Sequence, residues 1–239
     1  MAGGTGSRLR AVTGAAVGFP YNKHLFYVGR EPMISHPLKR LLKAGIRELM
    51  VVTGTEAMGQ VVEALGSGAK FDAELTYRVQ DQAGGIAQAL GMARGFAAGG
   101  PVAVILGDNV FQDDIRPYVE SFRKQKKGAR LLLKEVPDPH RFGVAEVKGT
   151  KIISIEEKPK QPKSNLCVTG IYMYDERVFE IVKTLKPSGR GELEITDVNN
   201  AYLADGSLEF DVLQGWWTDA GTWESLEHAN ELIAKDPPR

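Results

Sequence analysis

Between residues 38 and 133 the chain alternates apolar runs of strand length with segments whose apolar residues recur at helical spacing. Leu38, Leu41 and Leu42 share one helical face, and Gly45 stops that helix. Leu49-Met50-Val51-Val52 then reads as a buried strand. Met58, Val61, Val62 and Leu65 return to helical spacing before Gly66, and Leu75, Tyr77 and Val79 alternate as a strand. Ile86, Leu90 and Ala93 mark a helix opened by Gly84-Gly85, and the run from Val102 to Leu106 is apolar throughout. Ile115, Tyr118, Val119 and Phe122 are helical again, and Leu131-Leu132-Leu133 starts a further strand. Strand, helix and strand in turn, with short connections, is the pattern of a mostly parallel sheet covered by helices on both faces. The expected class is therefore α/β, a Rossmann-like three-layer fold.

After residue 137 the rhythm changes. Val144–Val147 and Lys151–Ile155 read as a hairpin around Lys148-Gly149-Thr150, and Val168–Tyr174 as a strand before a helix carrying Val178, Ile181, Val182 and Leu185. Helices near 192–204 and 221–235 flank a strand near 208–213, and the Pro-rich stretch 159–164 reads as a surface loop. The chain is read as one domain, 1–239, with halves 1–136 and 137–239.

Composition narrows the function classes. Thirty basic residues balance thirty acidic ones, which argues against a nucleic-acid partner held by bulk positive charge. A single cysteine, Cys167, excludes an internal disulfide framework and a cysteine-based zinc site, and reads as a buried small hydrophobe. No apolar run approaches the ~18 residues of a membrane span, and the start of the chain has no apolar stretch of signal-peptide type. A cytoplasmic protein without a membrane partner is expected. His24, His36, His140 and His228 have no metal-ligand spacing, and no Gly-x-Ser-x-Gly elbow occurs.

Four segments carry chemistry. In Ala2-Gly3-Gly4-Thr5-Gly6-Ser7-Arg8 the glycines let backbone N–H groups approach an anion, and Arg8 adds a donor fork suited to phosphate. The spacing matches neither the dinucleotide nor the P-loop fingerprint. Asp108 follows the apolar run 102–106, at the strand end where open α/β sheets bind ligands. It fits a Mg²⁺ ligand or a turn residue. Lys158, before Pro159, fits a point charge for phosphate or a solvated loop lysine, with an extended or turn backbone. Asp219, in Trp217-Thr218-Asp219-Ala220-Gly221, fits a second metal ligand or the N-cap of the final helix.

Taken in order, AGGTGSRL at 2–9, NKHL at 22–25, YRVQ and GGIAQAL within 77–90, LGDN at 106–109, RFGVAE at 141–146, EEKP at 156–159, VTGIYMYD at 168–175, RGELEITDVN at 190–199 and DAGT at 219–222 resemble the sugar-1-phosphate nucleotidyltransferases over nearly the whole chain. The similarity is strongest to short members that use dTTP and glucose 1-phosphate. It implies the nucleotide-diphospho-sugar transferase type of sheet, with 1–136 as the nucleotide-binding half and 137–239 as the sugar-phosphate-binding half.

The resemblance also implies an activity: joining dTTP and glucose 1-phosphate to dTDP-glucose and pyrophosphate, with Mg²⁺ as cofactor. It implies that Gly3, Gly4, Gly6, Arg8 and Lys23 take the triphosphate and that Gln80 and Gly85 read the pyrimidine. Asp108 and Asp219 would hold the metal. Asn109, Gly143, Glu157, Val168, Arg190 and Glu192 would line the sugar pocket, and Lys158 would bind its phosphate. Arg8, Lys23, Asp108, Lys158 and Asp219 are the expected catalytic set. Small-molecule substrates are the expected partners, and a homo-oligomer is compatible with the pattern. A UTP- or CTP-using sibling and a binding-only regulatory subunit remain alternatives. The chain begins at Met1-Ala2 without the apolar strand that usually leads into AGG, and 13–20 lengthens the Arg8–Lys23 loop. The expected fold is therefore short of its first strand.

Overall fold

A computed structural model of the chain describes residues 22–56 and 58–238. Gly3, Gly4, Gly6, Arg8, the longer loop at 13–20 and the start of the chain lie outside the described residues. In chain order the first elements are β1 (Tyr27–Val28), β2 (Glu31–Pro32), α1 (Ser35–Lys43), β3 (Glu48–Gly54), α2 (Met58–Leu65), β4 (Glu74–Gln80), α3 (Ile86–Gly91) and α4 (Arg94–Ala97). Next come β5 (Val102–Ile105), β6 (Asn109–Phe111), α5 (Arg116–Gln125), β7 (Ala129–Glu135), β8 (Gly143–Lys148), β9 (Lys151–Glu157) and β10 (Leu166–Tyr174). The last are α6 (Val178–Thr184), α7 (Ile195–Ala204), β11 (Leu208–Val212), β12 (Trp217–Asp219) and α8 (Trp223–Lys235). Among the described residues no helix is long and apolar enough to cross a membrane.

The chain divides into two compact units. The first draws on the described residues of Met1–Ala83, Leu106–Arg116 and Gly215–Arg239, the second on Gly84–Ile105 and Pro117–Gln214. In the first unit β3 and β4 pair in parallel from Glu48↔Glu74 to Gly54↔Gln80. The apolar positions that mark these strands and helices in the sequence meet in one cluster: Leu25, Ile34, Leu38, Leu49, Val51, Val61 and Leu65. A second cluster joins Val28, Met33 and Val110 to Ala220, Leu226 and Ala229 of the C-terminal segment. That segment is fastened by β12, antiparallel to β6 in the register Trp217↔Phe111, Thr218↔Val110 and Asp219↔Asn109.

The second unit is built on β10, buried at every position but its first. One edge of β10 pairs antiparallel with β7. The other is shared, with Cys167 and Val168 facing β8 and Ile171–Tyr174 facing β5. The register shift between Val168 and Tyr172 falls where the partner changes. β11 adds to β7 in parallel, and β8–β9 is the expected antiparallel hairpin. The class is α/β as expected, but the sheet of this unit is mixed rather than mostly parallel. The reason is physical: an uninterrupted apolar run reports burial on both faces and carries no information about strand direction.

Tyr174 and Asp175, at the end of β10, are hydrogen-bonded, while Asn199 Nδ2 beside them is buried without a partner among the described residues. Tyr174 donates to Asn199 Oδ1 at 2.6 Å. Asp175 accepts from Tyr202 at 2.7 Å, the Gly128 amide at 2.6 Å and Arg177 Nε at 2.8 Å. Burial works against the Asp175 carboxylate, yet these donors hold it below the ordinary range.

Candidate active site

In the first unit Lys23 sits on a single 3-10 turn, Lys23–Leu25, capped by Asn22. The Asn22 Oδ1 accepts from the His24 amide at 3.0 Å and faces His24 Nδ1 at 2.8 Å. That turn delivers the Lys23 ammonium to Asp108 Oδ2 at 2.6 Å, with both side chains less than a fifth exposed. Asp108 lies directly before β6, in a turn closed by the Asn109 amide bonding to Leu106 O at 3.1 Å. Asn109 donates to Asp108 Oδ1 at 3.2 Å and accepts from Trp217 Nε1 at 2.8 Å. Burial alone would raise the Asp108 carboxyl, but Lys23 and the Asn109 bond hold it well below the usual range.

Asp219 ends β12 opposite Asn109, and the next amide, Ala220 N–H, bonds to Asp108 O at 2.8 Å. A Cβ placed on Gly221 would lie 3.6 Å from Asp219 Oδ2, 3.7 Å from Asp108 Oδ2 and 3.8 Å from Lys23 Nζ. The three charged side chains therefore converge around one glycine. Of the two roles the sequence allows for Asp219, the N-cap falls to another residue: Thr222 caps α8 in a reciprocal capping box with Ser225.

Carboxylate oxygens are hard ligands of the kind Mg²⁺ takes, and that ion keeps waters and substrate oxygens in its shell. Among the described residues no group of three or more His, Cys, Asp or Glu is placed for a metal. Two carboxylates with room beside a glycine fit a Mg²⁺ shared with substrate, and not a closed four-ligand zinc cage.

His24 is buried, and burial first, then Lys23, lower its pKa to about 3. It is therefore neutral in the native state at pH 7 and stays so well below its unfolded value near 6.5. The stability this contributes is complete above pH 6.5 and is lost as pH falls toward 3, because only the unfolded chain takes up the proton. Between pH 6.5 and 4.5 the loss should be about 2–3 kcal/mol. Urea unfolding at both pH values should show that increment in the natural chain and not in His24→Gln. An equal pH dependence in both would contradict it.

In the second unit Gly143, Glu157 and Val168 are neighbours across three strands, in the pairs Gly143↔Glu157 and Val168↔Gly143. A Cβ on Gly143 would lie 3.3 Å from Thr196 Oγ1 and 3.5 Å from Glu157 Oε2. The Thr196 hydroxyl donates to Glu157 Oε2 at 2.6 Å. Arg190 grips Glu194 with Nε at 3.2 Å and Nη2 at 2.7 Å, and its Nη2 also lies 3.5 Å from Glu157 Oε1. Lys158 Nζ lies 3.4 Å from that same oxygen. Glu192 is at the margin, 3.7 Å from Arg190.

Of the extended and turn backbones expected for Lys158 before Pro159, the structure shows a left-handed, turn-type one. Its φ is +45°, while its amide bonds to Phe142 O at 2.9 Å. A left-handed non-glycine residue costs about 1–3 kcal/mol, and such strain concentrates where a side chain must be aimed. Glu194, Thr196 and Ser188 belong to this cluster but are not marked by the sequence reading. The alternation Glu192-Leu193-Glu194 is the one available signal, since residues two apart in an extended segment share a face.

Gln80 closes β4 in the first unit and is buried. Gly85 opens α3 in the second, at φ +96°. A Cβ there would meet Leu193 O at 2.4 Å. The backbone contact leaves no space for a side chain, which is a packing reason for this glycine beside any role toward a base. Gly85→Ala is expected to cost about 3 kcal/mol or more, lowering Tm by about 6–12 °C. Calorimetry showing a shift under 2 °C would contradict that close approach.

Comparison with known proteins gives the family. The family model described as Nucleotidyl transferase matches residues 1–236. A glucose-1-phosphate thymidylyltransferase of Neisseria gonorrhoeae is 43% identical over 243 residues, covering 98% of this chain and 81% of the relative. A crystal structure from Bacillus anthracis, of a candidate glucose-1-phosphate thymidylyltransferase in complex with a sucrose, is 58% identical. It superposes with a TM-score of 0.91 over 97% of this chain and 92% of that one. A UDP-glucose pyrophosphorylase complexed with UDP-glucose has a TM-score of 0.84 at 22% identity, over 98% of this chain and 96% of that one, which shows a shared fold.

Proposed function

We propose that this chain, which belongs to the nucleotidyl transferase family, is a glucose-1-phosphate thymidylyltransferase. It transfers the thymidylyl group of dTTP to glucose 1-phosphate and releases pyrophosphate. The observation that carries the reading is the meeting of Lys23, Asp108 and Asp219 around Gly221, in a chain whose relatives carry that name. We read both units as one nucleotidyltransferase domain, a reading supported by a family model matched over residues 1–236.

The two reactants are polyanions, so the protein must position them and spread positive charge over their phosphates. Lys23 takes the triphosphate, and the resemblance alone assigns Arg8, Gly3, Gly4 and Gly6, outside the described residues, to the same group. The resemblance assigns Gln80, in the first unit, and Gly85, in the second, to the thymine edge. Asp108 and Asp219 hold Mg²⁺, which when bound neutralises phosphate charge and favours in-line displacement. In the second unit Glu157 accepts from sugar hydroxyls and is oriented by Thr196, Arg190 and Lys158. Gly143 leaves the sugar face bare of a side chain, beside Val168. Lys158 and Arg190 carry the charge that a sugar phosphate needs.

A sugar-phosphate oxygen attacks the α-phosphorus of dTTP and forms the new P–O bond. The bond from that phosphorus to the bridging oxygen breaks, and pyrophosphate leaves with the electron pair. The nucleophile is already ionised, so no general base is required, and no covalent enzyme intermediate forms. dTTP is an intracellular metabolite, which supports a cytoplasmic location.

The test is pyrophosphate release from purified protein with glucose 1-phosphate and Mg²⁺, comparing dTTP, UTP, CTP, ATP and GTP. The largest kcat/KM is expected with dTTP. Preference for UTP or CTP would replace the base assignment, and binding without turnover would favour a regulatory subunit.

A further inference from the structure

We infer that Ser188 is a positioning residue for the sugar-phosphate substrate, acting by clamping the Arg190 guanidinium through Glu194. The inference deepens the proposed activity and rests on it for its kinetic consequence. Ser188 lies on the segment between α6 and α7. Its hydroxyl donates to Glu194 Oε1 at 2.6 Å and accepts from the Arg190 amide at 3.2 Å. One oxygen thus holds both the backbone that carries Arg190 and the carboxylate that grips its side chain. Glu194 Oε1 in turn takes Arg190 Nε at 3.2 Å, and Oε2 takes Nη2 at 2.7 Å. The guanidinium is fixed along its Nε–Nη2 edge, with Nη2 directed toward Glu157 at 3.5 Å.

Among the described residues Nη1 makes no bond to another side chain or carbonyl, and the Arg190 side chain is 45% exposed. The clamp therefore leaves two N–H donors presented in a set direction. That is the geometry for donating to a phosphate oxygen without first ordering a long side chain. Glu194 is held below the ordinary carboxylate range against the effect of burial by Ser188 and then by Arg190, so the clamp stays ionised at pH 7.

The backbone of the segment is closed independently. The Ser188 amide bonds to Glu192 O at 2.9 Å, and the Gly191 amide to Ser188 O at 2.8 Å. Alanine at 188 keeps both bonds and removes only the hydroxyl, so the turn should persist. Ser188→Ala is expected to raise KM for glucose 1-phosphate about 5–20-fold and leave KM for dTTP within about twofold. Ser188→Thr, which keeps the hydroxyl, should return to within about threefold of the natural chain. In a Glu194→Gln background the effect of Ser188→Ala should shrink below about twofold, because the group it acts through is already altered.

A probe that needs no turnover is the ¹⁵N-detected Nε–H of Arg190, assigned by its loss in Arg190→Lys. Its solvent exchange should quicken about tenfold or more in Ser188→Ala. An unchanged exchange rate would overturn the clamp whatever reaction the protein runs. Equal rises in both KM values, or a full effect persisting in Glu194→Gln, would overturn the positioning role. A natural chain inert with dTTP and glucose 1-phosphate would overturn the activity, with the exchange result still deciding the clamp.

Discussion

Asp108→Asn is expected to lower pyrophosphate release from dTTP and glucose 1-phosphate by about a thousandfold or more, in a protein that remains folded. Asparagine keeps the shape of the side chain, and its carbonyl can still accept from Lys23, now 2.6 Å from Asp108 Oδ2. The negative charge is lost. Of the three charged groups that converge on Gly221, Asp219 is then the remaining carboxylate, and a single carboxylate beside a lysine is a poor anchor for a strongly hydrated Mg²⁺. Raising Mg²⁺ should recover little of the rate, because the lost group also orients Lys23. A coupled pyrophosphate assay with near-ultraviolet circular dichroism on the same sample checks both parts. A decrease of less than about tenfold would remove Asp108 from the machinery.

Lys23→Met should lower kcat/KM for dTTP by about a hundredfold or more, since it deletes the cation that the proposed function assigns to the phosphates while keeping most of the side chain's length. The same change has a second signature. It leaves the Asp108 carboxylate buried without its partner, at a cost of about 2–3 kcal/mol after discounting for the partial exposure of both groups. The folded pKa of Asp108 is depressed, so the pair's contribution is fully present above the ordinary carboxylate value near 4 and disappears as pH falls through the folded value. The stability gap between Lys23→Met and the natural chain should therefore be widest near neutral pH and narrow in strong acid. A gap that grows on acidification would contradict the pairing.

Periodicity made much of the fold legible. α1, α2 and α5 carry apolar residues at helical spacing, and their apolar sides pack. The β8–β9 hairpin announces itself through Gly149, whose φ is +61°. What local pattern could not show is pairing between distant short segments. β6 and β12 have three residues each and are more than a hundred positions apart, yet their register is what brings Asp219 level with Asn109. Strand direction was equally hidden, because the buried run of β10 reads the same whether its neighbours are parallel or antiparallel.

The site divides the same way. Asp108 and Asp219 stand out because each closes a segment with a recognisable edge. Thr196, Glu194 and Ser188 do not, because their meaning lies in partners. Thr196 acts on Glu157, thirty-nine residues away, and Ser188 acts on an arginine through a third side chain. The left-handed backbone of Lys158 was also out of reach, since the following proline leaves extended and turn conformations open without singling out this one. The motif order compensates for part of this, as it points to residues whose spacing alone says nothing.

The most direct measurement of the central claim follows the α-phosphate itself. Purified protein is incubated with [α-³²P]dTTP, glucose 1-phosphate and Mg²⁺, and the products are resolved by anion-exchange chromatography alongside a denatured-protein fraction. The account predicts that the label moves into dTDP-glucose, in step with pyrophosphate release and with none retained on the protein. Label that stays in dTTP, or that is recovered covalently bound to the chain, would contradict it.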